Sequence, residues 1–248
     1  MTKPTAHTLR RLLILASLVA ATAGCGDNPS PKKAAPTPSP QKSTPAPPPD
    51  YSEQQVRRGL LTSKEIGEAK HEIPVAVEAL KRGRAPMCSL SDATFKGKPD
   101  LTSRQFINKP RLPRNEVKYA QIVARYKNAP EGMSAFTALR SRANSCPQQQ
   151  KVPAKKKSGT DSTFYPHDDT WKVTENPIAG WSHFRGFEKH VEPRVMKYNV
   201  YFLIYDYAVR GNLVVASLYW ERNEPGESGD PIAERATELL TRQLRKFG

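Results

Sequence analysis

The chain is 248 residues long, with 39 Lys and Arg against 24 Asp and Glu, a net charge of +15, 23 prolines and three cysteines. A mean hydropathy of -0.65 excludes a polytopic membrane protein, and the length bounds the chain at one or two domains. No cysteine stands in a Cys-x-x-Cys pair, which excludes zinc ribbons, thioredoxin-like redox motifs and disulfide-dense miniproteins.

Lys3, Arg10 and Arg11 precede an apolar run, Leu12 to Ala23, that is too short for a bilayer-spanning helix of roughly 20 residues. Small residues follow and end in Gly24-Cys25, the order of a secretory signal peptide. Ala21-Thr22-Ala23-Gly24-Cys25 resembles the bacterial lipobox, in which the cysteine thiol takes a diacylglyceryl group and the chain is cut before it. Thr22 stands where that motif prefers Leu. Residues 1–24 therefore read as a lipoprotein signal peptide, and Cys25 as the lipid anchor on the outer face of the bacterial cytoplasmic membrane. Two or more acyl chains give stable anchoring where one does not. Cys88 and Cys146 remain, and in an oxidising compartment two such cysteines usually pair.

Residues 25–50 read as a disordered tether. Gly26 to Asp50 holds nine of the 23 prolines among Ala, Ser, Thr and Lys, with no large apolar side chain to bury. An extended polyproline-like segment of this length reaches roughly 75 Å from the membrane. Residues 51–248 read as one domain. Residues 1–50 carry a net +4, which leaves +11 for that domain, facing anionic lipids and wall polymers. Export removes nucleic acid as the partner of such a charge.

Within the domain, Thr62-Ser63-Lys64-Glu65 has the pattern of a capping box and predicts a short helix after Leu60-Leu61. Ile66 to Lys109 is broken by Pro74, Pro86 and Pro99 and receives no long element. Val117 to Tyr126 alternates as a strand. Pro130-Glu131 opens a helix whose Met133, Phe136, Leu139 and Ala143 share a face, ending near Cys146. Gln148 to Asp161 is polar and predicts a mobile exposed loop. Trp171 to Val173 and Phe184 to Glu188 predict short strands.

Tyr198 to Val209 and Leu213 to Trp220 are runs of β-branched and aromatic residues separated by Arg210-Gly211-Asn212, which predicts a hairpin. Either two-residue turn gives the same two faces. One holds Phe202, Ile204, Asp206 and Ala208 with Val215, Ser217, Tyr219 and Glu221. The more apolar one holds Tyr201, Leu203, Tyr205, Tyr207 and Val209 with Val214, Ala216, Leu218 and Trp220, and should pack under helices. Asp230-Pro231 supplies an N-cap and first-turn proline for a final helix striped by Ile232, Ala236, Leu239, Leu240, Leu244 and Phe247. The predicted fold class is α+β, an antiparallel sheet with helices on one face.

Leu60-Leu61-Thr62, Cys88, the helix through Ala135-Phe136 to Cys146, Gly180-Trp181, the hairpin and the final helix occur in an order that resembles actinobacterial lipoproteins and the extracellular sensor domain of PknH-type kinases. The resemblance implies a binding or sensing module built around a cleft. It carries no kinase of its own, since no kinase motif is present. Sensor domains of this type usually carry two disulfides, whereas here one is available.

Sites for chemistry are few. His167-Asp168-Asp169 reads as a solvated turn whose consecutive side chains point apart, so no metal site is expected. His183 and His190, beside Phe184 and Phe187, match no metal spacing and read as surface or partly buried side chains, and His71 is ordinary. There is no nucleophile elbow and no phosphate loop, so no catalytic residue and no cofactor is assigned. The aromatic set, Tyr201, Tyr205, Tyr207 and Trp220 with Trp181 and Trp171 upstream, either forms core beneath the final helix or lines a ligand cleft. Asp206 marks either the solvent side of the sheet or the polar wall of that cleft. The functional expectation is a non-enzymatic, lipid-anchored module binding a ligand or envelope partner outside the cytoplasm. The alternatives are a structural lipoprotein adhering to anionic wall polymer and a hydrolase with a dispersed site.

Overall fold

Tyr198 to Trp220 folds as the expected hairpin and supplies the middle of the sheet. The computed structural model describes residues 47–67, 69–108, 116–156, 163–193 and 197–248, which fall in one compact unit. The segment expected to be a leader, Cys25 and most of the expected tether lie outside the described residues. In chain order the helices are α1 (Glu53–Gly59), α2 (Ser63–Ile66), α3 (Glu78–Lys81), α4 (Ala129–Asn144) and α5 (Asp230–Arg245). The strands are β1 (Lys70–Ile73), β2 (Arg84–Pro86), β3 (Asp92–Thr94), β4 (Asp100–Asn108), β5 (Val117–Arg125) and β6 (Gln149–Val152). They continue with β7 (Lys155–Lys156), β8 (Thr163–Phe164), β9 (His167–Glu175), β10 (Ser182–Val191), β11 (Val200–Arg210) and β12 (Leu213–Asn223). Eight strands form one antiparallel sheet in the order β1-β4-β5-β12-β11-β10-β9-β6, while β2-β3 and β7-β8 are separate ribbons.

Gly211 and Asn212 turn β11 into β12, with Arg210 opposite Leu213. Gly211 has φ 56°, and a Cβ there would stand 1.8 Å from the Pro49 carbonyl oxygen, so turn and neighbour both require glycine. Asn212 holds the entering chain: it accepts from Tyr51 N at 2.8 Å and donates to the Tyr51 and Tyr126 carbonyls at 3.2 and 3.0 Å.

Strand alternation makes two faces. Leu203, Tyr205, Tyr207, Ala216 and Leu218 join Ala120, Ile122 and Phe184 beneath Ala135, Phe136, Leu139 and Ala143 of α4. On the other face, Phe202, Ile204, Ala208, Val215 and Tyr219 lie beneath Ile232, Ala236, Leu239, Leu240 and Leu244 of α5. The α+β antiparallel architecture is as the sequence predicts, and its helical cover reaches both faces. The final helix takes the Phe202–Ala208 face because α4, tied to Cys88 through Cys146, already occupies the tyrosine face.

Four local expectations are corrected. β4 is a nine-residue strand in the segment left unassigned, because Leu101, Phe106 and Ile107 do not alternate. Gln149–Val152 is an edge strand paired to β9, and its polar composition suits an edge better than a loop. Met133 of α4 is exposed; the buried face is Gly132, Ala135, Phe136, Leu139 and Ala143, set by the close approach of Gly132 to the Gly211 carbonyl. Gly229, not Asp230, is the N-cap of α5, and Asp230 lies in its first turn, where the positive end of the helix dipole favours a carboxylate. The Thr62–Glu65 capping box is formed as expected, with Thr62 N donating to Glu65 at 2.8 Å.

Candidate functional site

Beyond the reach of α4, the tyrosine face of the sheet opens into a cleft of about 710 Å³. Paired strands lay its floor in rows. Leu203, Trp220, Lys118 and Ile107 stand in one cross-strand row, and Leu218, Ala120 and Gln105 in the next. The rim comes from Ala76 and Val77 before α3, from Ser89 and Leu90 in the 3-10 turn Cys88–Leu90, and from Tyr165. Buried Gln105 fixes one wall by accepting from the Ala76 and Val77 backbone at 2.7 and 3.0 Å. Leu90 and Tyr165 are 60% and 51% exposed, among the few large apolar side chains that are, and both sit at the mouth.

Aromatic faces in the floor carry cations. Lys118 Nζ sits 4.2 Å from the Trp220 ring centroid and the Arg222 guanidinium 4.7 Å from that of Tyr201, while the two rings stand 5.3 Å apart. The opposite end is acidic and imidazole-rich. Asp169 lies opposite His190 in the β9–β10 pairing, and His167 lies two residues upstream of Asp169, hence on the same face. His190 Nδ1 is 2.7 Å from Asp169 Oδ1, His167 Nε2 is 3.5 Å from Asp169 Oδ2, and the two imidazole centroids are 4.1 Å apart. Residues 167–169 are therefore strand, not turn. The sequence signal was the run of alternation that continues upstream from Trp171.

The 3-10 turn completes this end. Ser89 (φ 50°, ψ 39°) and Leu90 (φ 53°) are successive non-glycine residues in the left-handed region, a conformation costing about 1–2 kcal/mol each. In return the turn aims two donors inward. Ser89 N donates to Glu188 Oε2 at 2.7 Å, and Ser89 Oγ donates to Asp169 Oδ2 at 2.5 Å. Tyr205 donates to the same Glu188 oxygen at 3.0 Å. Burial, tempered by the Ser89 N–H and reinforced by the Asp169 charge, pushes Glu188 up to about 7. Burial also acts on Asp169, but hydrogen bonds from His190 and Ser89 outweigh it and hold that carboxyl below its usual range. Ser89 Oγ is bonded to a carboxylate and not to an imidazole, so these groups do not form the nucleophile–base contact of a serine hydrolase.

The residues singled out from sequence divide cleanly. Tyr201 and Trp220 line the cleft, and Tyr205 lies just behind it on Glu188. Tyr207 is fully buried core, stacked on Phe184 and donating to the Pro86 carbonyl. Trp181 is core on the other face, against Tyr51 and Phe247. Asp206 is neither solvent side nor cleft wall. It is fully buried under α5, where Arg185 Nε and Nη2 donate to it at 2.6 and 2.9 Å and His183 Nε2 lies 2.9 Å away. His183, expected at the surface or partly buried, is buried. Cys88 and Cys146 form the expected disulfide, with Cα atoms 6.2 Å apart. Ser89, Glu188 and Gln105 had no sequence signal, since each gains its role from a partner 28 or more residues away.

No protein-family model and no curated protein matches the chain. Among solved structures, it is similar to the extracellular domain of PknH from Mycobacterium tuberculosis, with a TM-score of 0.53 and 12% identity over 80% of this chain and 97% of that one. The chain shares that PknH-like sensor-domain fold, as the sequence resemblance implied. A looser similarity to the lipid transfer and protein localization domain of human StarD13 has a TM-score of 0.27 and 12% identity over 59% of this chain and 82% of that one, too low to bear on the fold.

Proposed function

We propose that the protein is a lipid-anchored, non-catalytic module outside the cytoplasm that holds an apolar or amphiphilic ligand in the cleft. The observation that carries this reading is the cleft itself: about 710 Å³, floored by Leu203, Leu218, Tyr201 and Trp220, with cations over the aromatic floor and an acidic, imidazole-rich group at the opposite end. That is the make-up of small-molecule sites, apolar walls with a few placed polar groups. The disulfide supports an oxidising compartment, and the shared fold is that of an extracellular domain in PknH. The lipobox-like Cys25 supplies the anchor.

The purified protein is expected to bind the amphiphilic fluorophore 1-anilinonaphthalene-8-sulfonate in its folded state. Trp220→Ala, which removes a floor side chain half-open to solvent, should weaken that binding about tenfold. Binding that ignores Trp220→Ala, while the unfolding midpoint is kept, would remove the cleft as the binding site. The anchor is read separately. Protein from its native host should partition into the detergent phase of Triton X-114, and Cys25→Ser should move it to the aqueous phase; aqueous partition of the unaltered chain would exclude lipidation.

A further inference from the structure

We propose that His167, Asp169 and His190 form a binding site for a divalent d-block metal ion, with zinc as its simplest occupant, at the polar end of the cleft. These three side chains each present a ligand atom within 4.8 Å of the others. Two imidazoles and a carboxylate are the donor set of zinc and its first-row neighbours, and a site with three protein ligands keeps a position open.

Proton placement makes the argument sharper than proximity alone. His167 Nδ1 lies 3.0 Å from the Tyr165 carbonyl oxygen, which can only accept, so Nδ1 carries the hydrogen. In the neutral ring Nε2 is then a bare lone pair, and it faces Asp169 Oδ2, another acceptor, at 3.5 Å. Two acceptors opposed at that distance want a cation between them. Tetrahedral zinc with bonds near 2.0–2.1 Å separates its ligand atoms by about 3.4 Å. Metal entry at His190 Nδ1 widens its 2.7 Å contact with Asp169 Oδ1 and shifts the neutral ring to its other tautomer: the hydrogen leaves Nδ1 and Nε2, 3.8 Å from Glu192 Oε1, takes one up, with no net proton released.

Outer contacts are those of a held ligand set. Tyr165 fixes the tautomer of His167, and Ser89 Oγ donates to Asp169 Oδ2 and orients its carboxylate. The surroundings are also electrostatically suited. In a chain with a net charge of +15, Glu188 and Glu192 join Asp169 on this face, and Glu192 Oε1 is 3.8 Å from His190 Nε2. His167 and His190 both line the cleft, so a ligand with a metal-binding head and an apolar body would use both ends. The site itself does not rest on the apolar reading, because the metal alone is the probe.

The test is calorimetric titration of zinc chloride into the full chain after chelator treatment, with cobalt(II) absorption as a second readout. One zinc per chain is expected, with visible cobalt bands of reduced-coordination geometry. His167→Gln, at the cleft edge, and Asp169→Asn should each weaken zinc at least about tenfold, and Ser89→Ala should act in the same direction. Circular dichroism melts of the metal-free variants separate this loss from misfolding. Absence of stoichiometric zinc, or binding unaltered in folded His167→Gln and Asp169→Asn, overturns the site. Fluorophore binding at Trp220 in either event reports on the cleft independently.

Discussion

Opening the Cys88–Cys146 disulfide, by reduction or by replacing both cysteines with alanine, is expected to lower the unfolding free energy by about 4 kcal/mol. The loop it closes spans a sequence separation of 58 residues, and the loss of loop-closure entropy in the unfolded chain grows with that length. The readout is the midpoint of urea unfolding under oxidising and reducing conditions, with the slope compared to detect a change in the unfolded state. Position makes the bridge matter to the cleft as well. Cys88 is followed directly by Ser89 and Leu90, the two left-handed residues that form the rim, while Cys146 follows the last turn of α4. The bridge therefore ties a strained turn to the helix covering the neighbouring floor. Fluorophore binding should weaken on reduction at urea concentrations where both forms remain folded. A change in stability under about 1 kcal/mol would assign the turn's hold to the Glu188 and Asp169 hydrogen bonds instead.

What the sequence made legible follows from the range of the interactions involved. The hairpin was readable because its signal is local: two runs of strand formers around a glycine turn, with faces set by parity alone. The disulfide was readable because, with Cys25 set aside as the lipobox cysteine, the two that remain allow one pairing. The capping box of α2 and the stripe of α5 were readable for the same reason, each being complete within one element. The cleft was not, because its walls come from seven separate strands and three short segments whose meeting depends on strand order. Tyr201 and Tyr207 look equivalent along β11, yet α4 and the β2–β3 ribbon cover one and leave the other at the opening. His167 and His190 are 23 positions apart and meet only because β9 and β10 pair in a register that sets Asp169 opposite His190. Asp206 was misplaced for a related reason. A carboxylate on an apolar strand suggests solvent or a binding site, unless a cation from the next strand reaches it, and Arg185 is that cation, in register opposite Asp206.

That buried group carries the other large expected effect. Asp206→Asn should destabilise the protein by about 3–5 kcal/mol, since it leaves the largely buried Arg185 guanidinium and His183 without their carboxylate. Asn keeps the shape and one acceptor, so the loss reports on charge and on the second hydrogen bond rather than on a cavity. Arg185 Nη1 also donates to the Ala233 carbonyl at 3.0 Å, so the network fastens the first turn of α5 to the sheet. Burial alone would raise the Asp206 carboxyl, but Arg185 and His183 outweigh it and hold its pKa below the usual carboxylate value. The sign of the pH dependence follows. A carboxyl depressed in the folded state adds stability that is complete above its unfolded pKa, near 4, and fades as the pH falls through the lower folded value. The gap in unfolding free energy between the unaltered protein and Asp206→Asn should therefore be constant from neutral pH to about 5 and narrow in stronger acid. Arg185→Met added to Asp206→Asn should recover part of the loss, because the stranded charge is then gone. A gap that instead closed on raising the pH, or a double variant less stable than Asp206→Asn, would mean that the carboxylate is not the partner holding Arg185 beneath α5.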